Sequence, residues 1–294
     1  MKASAFAYAR ATSLDNALEL LGAHGDRAKV LSGGQSLMPA MNLRLIAPDL
    51  IVDIGGLSEL RGVVLQGTNL RIGALTRHVD ILNSPEIAVH VPLMREAVTH
   101  IAHPAIRNRG TIGGSLAHAD PASELPACML ALDGAVIARG PVGERRIAAV
   151  DFFQGIFQTA LAADELLVAV DFPIMRQGSS HFFQEFARRH GDYAIAGLAG
   201  QAVVEGGVFA DLEVAFFGIA DRPVQAKAAR RLVNSPVTPA LISDACEALG
   251  EEFDFQEDQQ ASAAMRRHLA RVLLVRCVAT LLRRPELSLS GVVP

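Results

Sequence analysis

Two Gly-Gly steps about eighty residues apart, each set directly after a β-favouring apolar run, restrict what this chain can fold into more than any other feature. The first lies in Lys29-Val30-Leu31-Ser32-Gly33-Gly34-Gln35-Ser36-Leu37. The second lies in Thr111-Ile112-Gly113-Gly114-Ser115-Leu116-Ala117-His118-Ala119-Asp120-Pro121. A Gly-Gly step admits positive φ and carries no Cβ, so successive N–H groups can turn towards one anion. Two such turns, brought together by folding, can hold the two phosphates of a dinucleotide. Either step taken alone reads more readily as a plain turn after a strand. Neither has the GxGxxG or GxxxxGKS/T spacing, so a phosphate site here belongs to neither a Rossmann fold nor a P-loop.

At 294 residues the chain has room for two domains. A net charge of −4, with no Lys/Arg run before the last helix, speaks against a nucleic-acid partner. No apolar run is long enough to span a membrane. The N-terminus lacks the apolar core of a secretory signal, so the cytoplasm is the expected compartment. Cys128, Cys246 and Cys277 are far apart, and no CxxC or Cys/His cluster occurs. An iron–sulfur cluster needs about four thiolates, so this chain cannot hold one alone, and no metal site is expected.

Ser13 or Thr12 is placed to cap a helix over Leu14, Ala17, Leu18 and Leu21, whose spacing gives one apolar face. Strands are expected at 28–31 and 50–54, with a helix over 38–43 between them, closing a small α/β unit near Gly55-Gly56. A hairpin about Gly67, a helix capped by Thr76, helices over 92–101 and 125–133, and strands at 135–139, 145–149 and 166–172 make a second unit. The small and polar stretch 173–180 reads as the domain boundary. Beyond it, strands are expected at 182–188, 199–204 and 214–218, and helices over 224–233, 239–249 and 259–283. The last helix combines an apolar stripe, read as core packing, with a basic face.

Ser32-Gly33-Gly34-Gln35-Ser36-Leu37 and Ile106-Arg107-Asn108-Arg109-Gly110-Thr111-Ile112-Gly113-Gly114-Ser115 resemble the paired flavin loops of the FAD-binding medium subunits of molybdenum hydroxylases. That family includes the carbon monoxide dehydrogenase medium subunit and the flavin portion of xanthine dehydrogenase. Met1 to Tyr8, Val52-Asp53-Ile54, Ile72-Gly73-Ala74-Leu75-Thr76, Asp164-Glu165-Leu166-Leu167, Arg188-Arg189-His190-Gly191-Asp192-Tyr193-Ala194 and Arg266-Arg267-His268-Leu269-Ala270 fit in the same order. The resemblance implies an α+β fold. A two-part FAD-binding domain (PCMH-type, vanillyl-alcohol-oxidase-like) would occupy about 1–175, in subdomains of about 1–56 and 57–175. A smaller domain of antiparallel sheet plus helices would occupy about 176–294.

It implies FAD as cofactor, with Ser32, Gly33, Gly34, Gln35, Ser36, Leu37, Thr111, Ile112, Gly113, Gly114 and Ser115 around the pyrophosphate. The side chains of Gln35, Ser36, Thr111 and Ser115 add donors, or cap their own turns. Lys29 either brings an ammonium near phosphate or is an ordinary exposed lysine. Thr76, His118 and Leu167 join the cofactor set on the same resemblance. Glu124, and after it Asp120, suits the ribityl and ribose hydroxyls as acceptor, or caps the following helix. On the same resemblance Tyr193 covers a face of the isoalloxazine ring, or is an ordinary surface or core tyrosine. Ile195 stands where the xanthine dehydrogenase pattern has lysine, which tells against NAD reduction of that kind. Ser115, His118 and Asp120 lie too close in sequence to be oriented as a triad, so no catalytic residue is assigned.

The implied role is that of a medium subunit passing electrons from iron–sulfur clusters of a small subunit, fed by a large molybdenum-cofactor subunit, through FAD to an external acceptor. A dimer of heterotrimers is the expected assembly. A stand-alone flavin-dependent oxidase or dehydrogenase, or a flavin-binding regulatory module, would carry the same loops.

Overall fold

The computed structural model of the chain describes residues 2–289; Met1 and residues 290–294, at the ends of the two expected domains, lie outside the described residues. Three strands, β1 (Ala7–Arg10), β2 (Ala28–Leu31) and β3 (Leu50–Asp53), form a parallel sheet with β3 in the centre. Helix α1 (Leu14–His24) starts at Ser13, whose hydroxyl accepts from Asn16 N–H, and buries Ala17, Leu18 and Leu21 against this sheet. Helix α2 (Leu37–Asn42) follows the first glycine pair. Because all three strands are parallel, their C-terminal ends share one edge, and the first glycine loop leaves from it.

The second unit is an antiparallel five-stranded sheet in the order β4-β5-β10-β6-β7. Strands β4 (Val63–Gln66) and β5 (Asn69–Gly73) make the expected hairpin about Gly67, where φ is +60°. Helices α3 (His78–Asn83), α4 (Pro85–His90), α5 (Pro92–His100), α6 (Pro104–Arg107), α7 (Ile112–His118) and α8 (Glu124–Ala131) come next in the chain, followed by β6 (Ala135–Gly140) and β7 (Gly143–Ala148). Helix α9 (Ala149–Phe152), the short pair β8 (Phe153–Gly155) and β9 (Gln158–Thr159), and β10 (Leu166–Pro173) complete the unit. Arg71 and Asp171 are cross-strand neighbours on β5 and β10, and the guanidinium meets the carboxylate with two bonds of 2.7 and 2.8 Å.

The C-terminal domain is a four-stranded antiparallel sheet, β11 (Ser179–Ala187), β12 (Ala194–Glu205), β13 (Val208–Phe217) and β14 (Val224–Gln225), in that order. Helices α10 (Pro239–Glu252) and α11 (Ala263–Leu281) cover one face. The opposite face carries Phe183, Ala199, Ala215 and Phe217 into the core of the preceding unit. One sheet therefore serves two cores, and its alternating residues hold the two domains together.

Several expectations change. The helix expected over 224–233 is not α-helical, because Val224 and Gln225 pair with Phe216 and Ala215 on β13. What remains is a 3₁₀ turn, Lys227–Leu232, whose first N–H groups are taken by the Glu252 carboxylate. Strands β12 and β13 are longer than expected, because their small and polar positions are satisfied by cross-strand pairing. Thr76 caps no helix. Arg77 is the N-cap of α3, with Asp80 accepting from its N–H, while the buried Thr76 hydroxyl donates to Gly62 O and accepts from Gly62 N–H.

Candidate functional site

The two glycine-rich segments meet. Ser32 Oγ lies 3.1 Å from Thr111 Oγ1. A Cβ placed on Gly33 would stand 2.3 Å from the Arg109 carbonyl oxygen, and one on Gly114 would stand 2.8 Å from Ser32 Oγ. The glycines are there mainly so that two backbones can touch; of the four, only Gly34 takes positive φ, at +71°.

The segments differ in what they leave free. Among the described residues, nothing accepts from the N–H groups of Ser32, Gly33, Gly34, Gln35, Ser36 or Leu37. Gln35 folds back, its Nε2 donating to Gly33 O at 2.8 Å, which fixes the loop. Ser36 is exposed, and the rest of the loop is half-buried.

The second segment is not the open turn expected. Thr111 is the N-cap of α7, and Gly113 and Gly114 lie in that helix's first turn. Its N–H groups are already engaged. Ile112 donates to Thr76 O, Gly113 to Ala74 O, Gly114 to Thr111 Oγ1 and Ser115 to Thr111 O. The free backbone donors thus belong to the first loop, with the capped start of α7 as the wall beside it. The residues present fit a pyrophosphate through six adjacent free backbone donors beside the half-buried Ser115.

The remaining sequence candidates divide. Lys29 is exposed on β2. Thr76 has its hydroxyl turned to Gly62, so its part is to anchor the strand end that holds Ile112. Leu167 is buried in β10 within the core. His118 ends α7, its ring 4.8 Å from that of Phe157, and burial lowers its pKa. Asp120 accepts from Ala122 N–H in the turn before α8, and Ser123, not either acid, is that helix's N-cap residue.

Glu124 opens α8. Burial first, and the nearby Glu185 second, push its pKa up to about 8, so its carboxyl carries a proton at neutral pH. Tyr193 stays exposed at its surface, but the partial desolvation of its hydroxyl, and then the nearby acids Asp120, Glu124 and Asp192 once ionised, raise its pKa. The C-terminal domain therefore delivers Tyr193 to the segment that follows α7. Gly218 N–H donating to Pro121 O at 2.7 Å and Gly191 packed on Ala102 hold that approach. Asp120, Glu124 and Tyr193 lie close enough for the two acids to act on the Tyr193 hydroxyl.

Other supports were not signalled by the sequence. Arg107 donates to the carbonyls of Ile101 and Ala102, and Ala102 has φ of +41°. Arg266 is buried and bonds Ile195 O and Gly218 O on its way to Asp258. His78 sits buried behind Gly110. A basic residue inside a quoted motif was the only available hint for Arg107 and Arg266.

Residues 4–175 match the family described as the FAD binding domain in molybdopterin dehydrogenase, and residues 181–281 match the carbon monoxide dehydrogenase flavoprotein C-terminal domain. The chain is 39% identical to the 6-hydroxypseudooxynicotine dehydrogenase complex subunit alpha of Paenarthrobacter nicotinovorans, over 97% of each chain. It is 33% identical to the carbon monoxide dehydrogenase medium chain of Hydrogenophaga pseudoflava, over 93% of this chain and 96% of that one. The solved carbon monoxide dehydrogenase of Hydrogenophaga pseudoflava that lacks the Mo-pyranopterin moiety superposes with a TM-score of 0.94 at 33% identity, covering 97% of this chain and 99% of that one. Quinoline 2-oxidoreductase from Pseudomonas putida 86 gives 0.90 at 34%, covering 96% and 99%.

Proposed function

The chain belongs to the family of FAD-binding medium subunits of molybdenum hydroxylases, and from that premise we propose that it carries electrons from iron–sulfur clusters of a small partner subunit, through FAD, to an external acceptor. Substrate is oxidised in a separate large subunit holding the molybdenum cofactor, in a dimer of heterotrimers. The domain boundary falls near residues 175–176. The three cysteines are free and buried, which agrees with a reducing cytoplasm.

The observation that carries this reading is the run of six unpartnered N–H groups at Ser32–Leu37, held against the capped start of α7. Fixed backbone donors bind a pyrophosphate without a countercharge, and Ser36 and Ser115 hydroxyls extend the donor set. When bound, FAD supplies the redox chemistry, and the protein binds, orients and shields it. Asp120 and Glu124 accept from hydroxyls of the cofactor's sugar-like chain, and the protonated Glu124 can also donate. Tyr193 covers the ring's open side.

The test is direct. The purified chain, loaded with FAD and freed of excess, retains a flavin absorption band, and co-expression with the two partner subunits yields a complex whose flavin is reduced when substrate is added. Flavin absent from both chain and complex removes the proposal. Flavin present, but never reduced through the clusters, removes the electron-transfer role alone.

A further inference from the structure

Strand β11 is an edge strand. It pairs with β12 from Ser179↔Val203 to Ala187↔Ala194, and among the described residues no strand lies on its other side. Nine residues long, it leaves about half its backbone N–H and C=O groups directed outward without a ladder. Soluble proteins protect such edges with lysine, proline, bulges or short length. The sequence Ser179-Ser180-His181-Phe182-Phe183-Gln184-Glu185-Phe186-Ala187 has neither lysine nor proline, and its single irregularity lies at the last step.

The two faces of β11 are covered, while its outer edge has no strand partner among the described residues. Phe183 packs into the FAD-binding unit and Phe182 into the α10/α11 layer. Two His–carboxylate pairs fasten the first of these faces, with His181 Nε2 3.3 Å from Glu96 and His100 Nδ1 3.3 Å from Glu185. Between His100 on one side and α11 on the other, an open groove of about 870 Å³ runs past Phe182, Phe183 and Gln184.

The wall made by α11 and the turn after it is basic. Arg276 and Arg283 line it, both exposed, and among the described residues neither meets a carboxylate. Arg276 lies over the Phe186 ring at 5.3 Å. Among the described residues, no acidic residue lines the groove beside them. In a chain of net charge −4, two unmatched guanidinium groups beside an open strand edge are a local reversal of charge.

We infer that this groove takes an extended, acidic segment of a partner subunit, which adds a strand to the free edge of β11 and sets its carboxylates on Arg276 and Arg283. The inference rests on the multi-subunit reading above. A small anion would use the arginines and leave the strand edge open. Main-chain pairing gives such a contact its affinity, and the charges give it register. Phe182 and Ala279 offer an apolar seat for one intervening side chain.

The test is amide hydrogen exchange of Phe182–Gln184 in the assembled complex and in the isolated FAD-loaded chain, with R276E/R283E and R276Q/R283Q variants in parallel. The expected result is exchange slowed by about tenfold or more on assembly, and at least about tenfold weaker assembly for R276E/R283E. R276Q/R283Q falls between, and both variants keep the flavin band. Equal exchange in complex and free chain overturns the inference, as does unchanged assembly of the charge-reversed variant. Protection already present in the free chain overturns it too, assigning the groove to the chain's own end if removal of residues 290–294 abolishes protection, or to a second copy if dilution does. Flavin retained with wild-type subunits that never assemble removes the multi-subunit reading itself.

Discussion

The hydroxyls of Ser32 and Thr111 lie 3.1 Å apart although 79 positions separate them in the chain. This contact joins the C-terminal edge of a parallel sheet to the N-cap of α7. It sets one loop of free donors against one wall of satisfied ones. The geometry of the first loop therefore depends on residues of the second, and substitutions in each have different consequences.

Gly33→Ala and Gly114→Ala are expected to separate. The added methyl at Gly33 meets a backbone carbonyl, that of Arg109, at 2.3 Å. Backbone must move, so stability falls by about 1–3 kcal/mol and the free N–H run loses its alignment. At Gly114 the nearest atoms are the hydroxyls of Ser32 and Thr111 at 2.8 and 2.9 Å, which can give way more easily. Flavin absorbance after gel filtration and a thermal melt check the order. Equal retention in the two variants would contradict it.

Thr111→Val removes the acceptor that holds Gly114 N–H and the link to Ser32. The expected loss is about 1 kcal/mol of stability, with weaker FAD binding. Thr111→Ser keeps both bonds and is expected to behave almost as wild type. A valine variant that binds FAD with unchanged affinity shows that the cap does not position the loop.

Much of the fold was legible because its signals are local. Ser13 before an apolar stripe and Gly67 between two short apolar runs each act within a few residues. The candidate site was legible in part for the same reason, since Ser32–Leu37 leave their N–H groups without a partner among the described residues. What could not be read depends on partners distant in sequence. Gly113 looks like a flexible turn residue until Ala74 is seen where its Cβ would be, at 2.6 Å. Thr76 looks like a cap until Gly62 is found across from it. Val224 has an apolar helical context locally, and only the neighbouring β13 makes it a strand.

Arg266→Met is expected to cost about 3 kcal/mol, far more than a surface arginine. The buried guanidinium satisfies Ile195 O and Gly218 O and pairs with Asp258 at 2.6 Å. Removal leaves two carbonyls without their donor at the strand ends that carry Tyr193 and Gly218. Urea unfolding measures the loss. A change below about 0.5 kcal/mol would show that water replaces the guanidinium without cost.

His78 has no partner for either ring nitrogen among the described residues, and burial lowers its pKa to about 4. The unfolded chain binds a proton near the ordinary 6.5, whereas the folded chain does not until about 4. Stability is therefore full above 6.5 and falls as pH drops through that window. His78→Leu removes two unsatisfied nitrogens at similar volume, so its stability at pH 7 should lie within about 1 kcal/mol of wild type. Its decline between pH 6.5 and 4 is shallower. Parallel curves for the two proteins would place the acid sensitivity elsewhere.

Glu124 gives the opposite slope. With its pKa raised to about 8 by burial and by Glu185, the folded chain keeps a proton that the unfolded chain releases near 4.5. Between those values the folded state binds more protons, so stability decreases as pH rises, by no more than about 1.4 kcal/mol per unit. Above about 8 both states are ionised and this contribution no longer changes. Glu124→Gln stays neutral throughout, so in the FAD-free chain its stability relative to wild type should increase from pH 5 to 8 and then level off. The same substitution tests the cofactor role, because glutamine keeps an acceptor and a donor where the protonated acid has them. FAD affinity near pH 6 should thus change little, and the wild-type protein alone should lose affinity as Glu124 ionises. Melts and FAD titrations at pH 6, 7 and 8 decide the matter. A variant that shows the altered stability slope but binds FAD with the wild-type pH profile would place Glu124 in the domain seam and outside the flavin site.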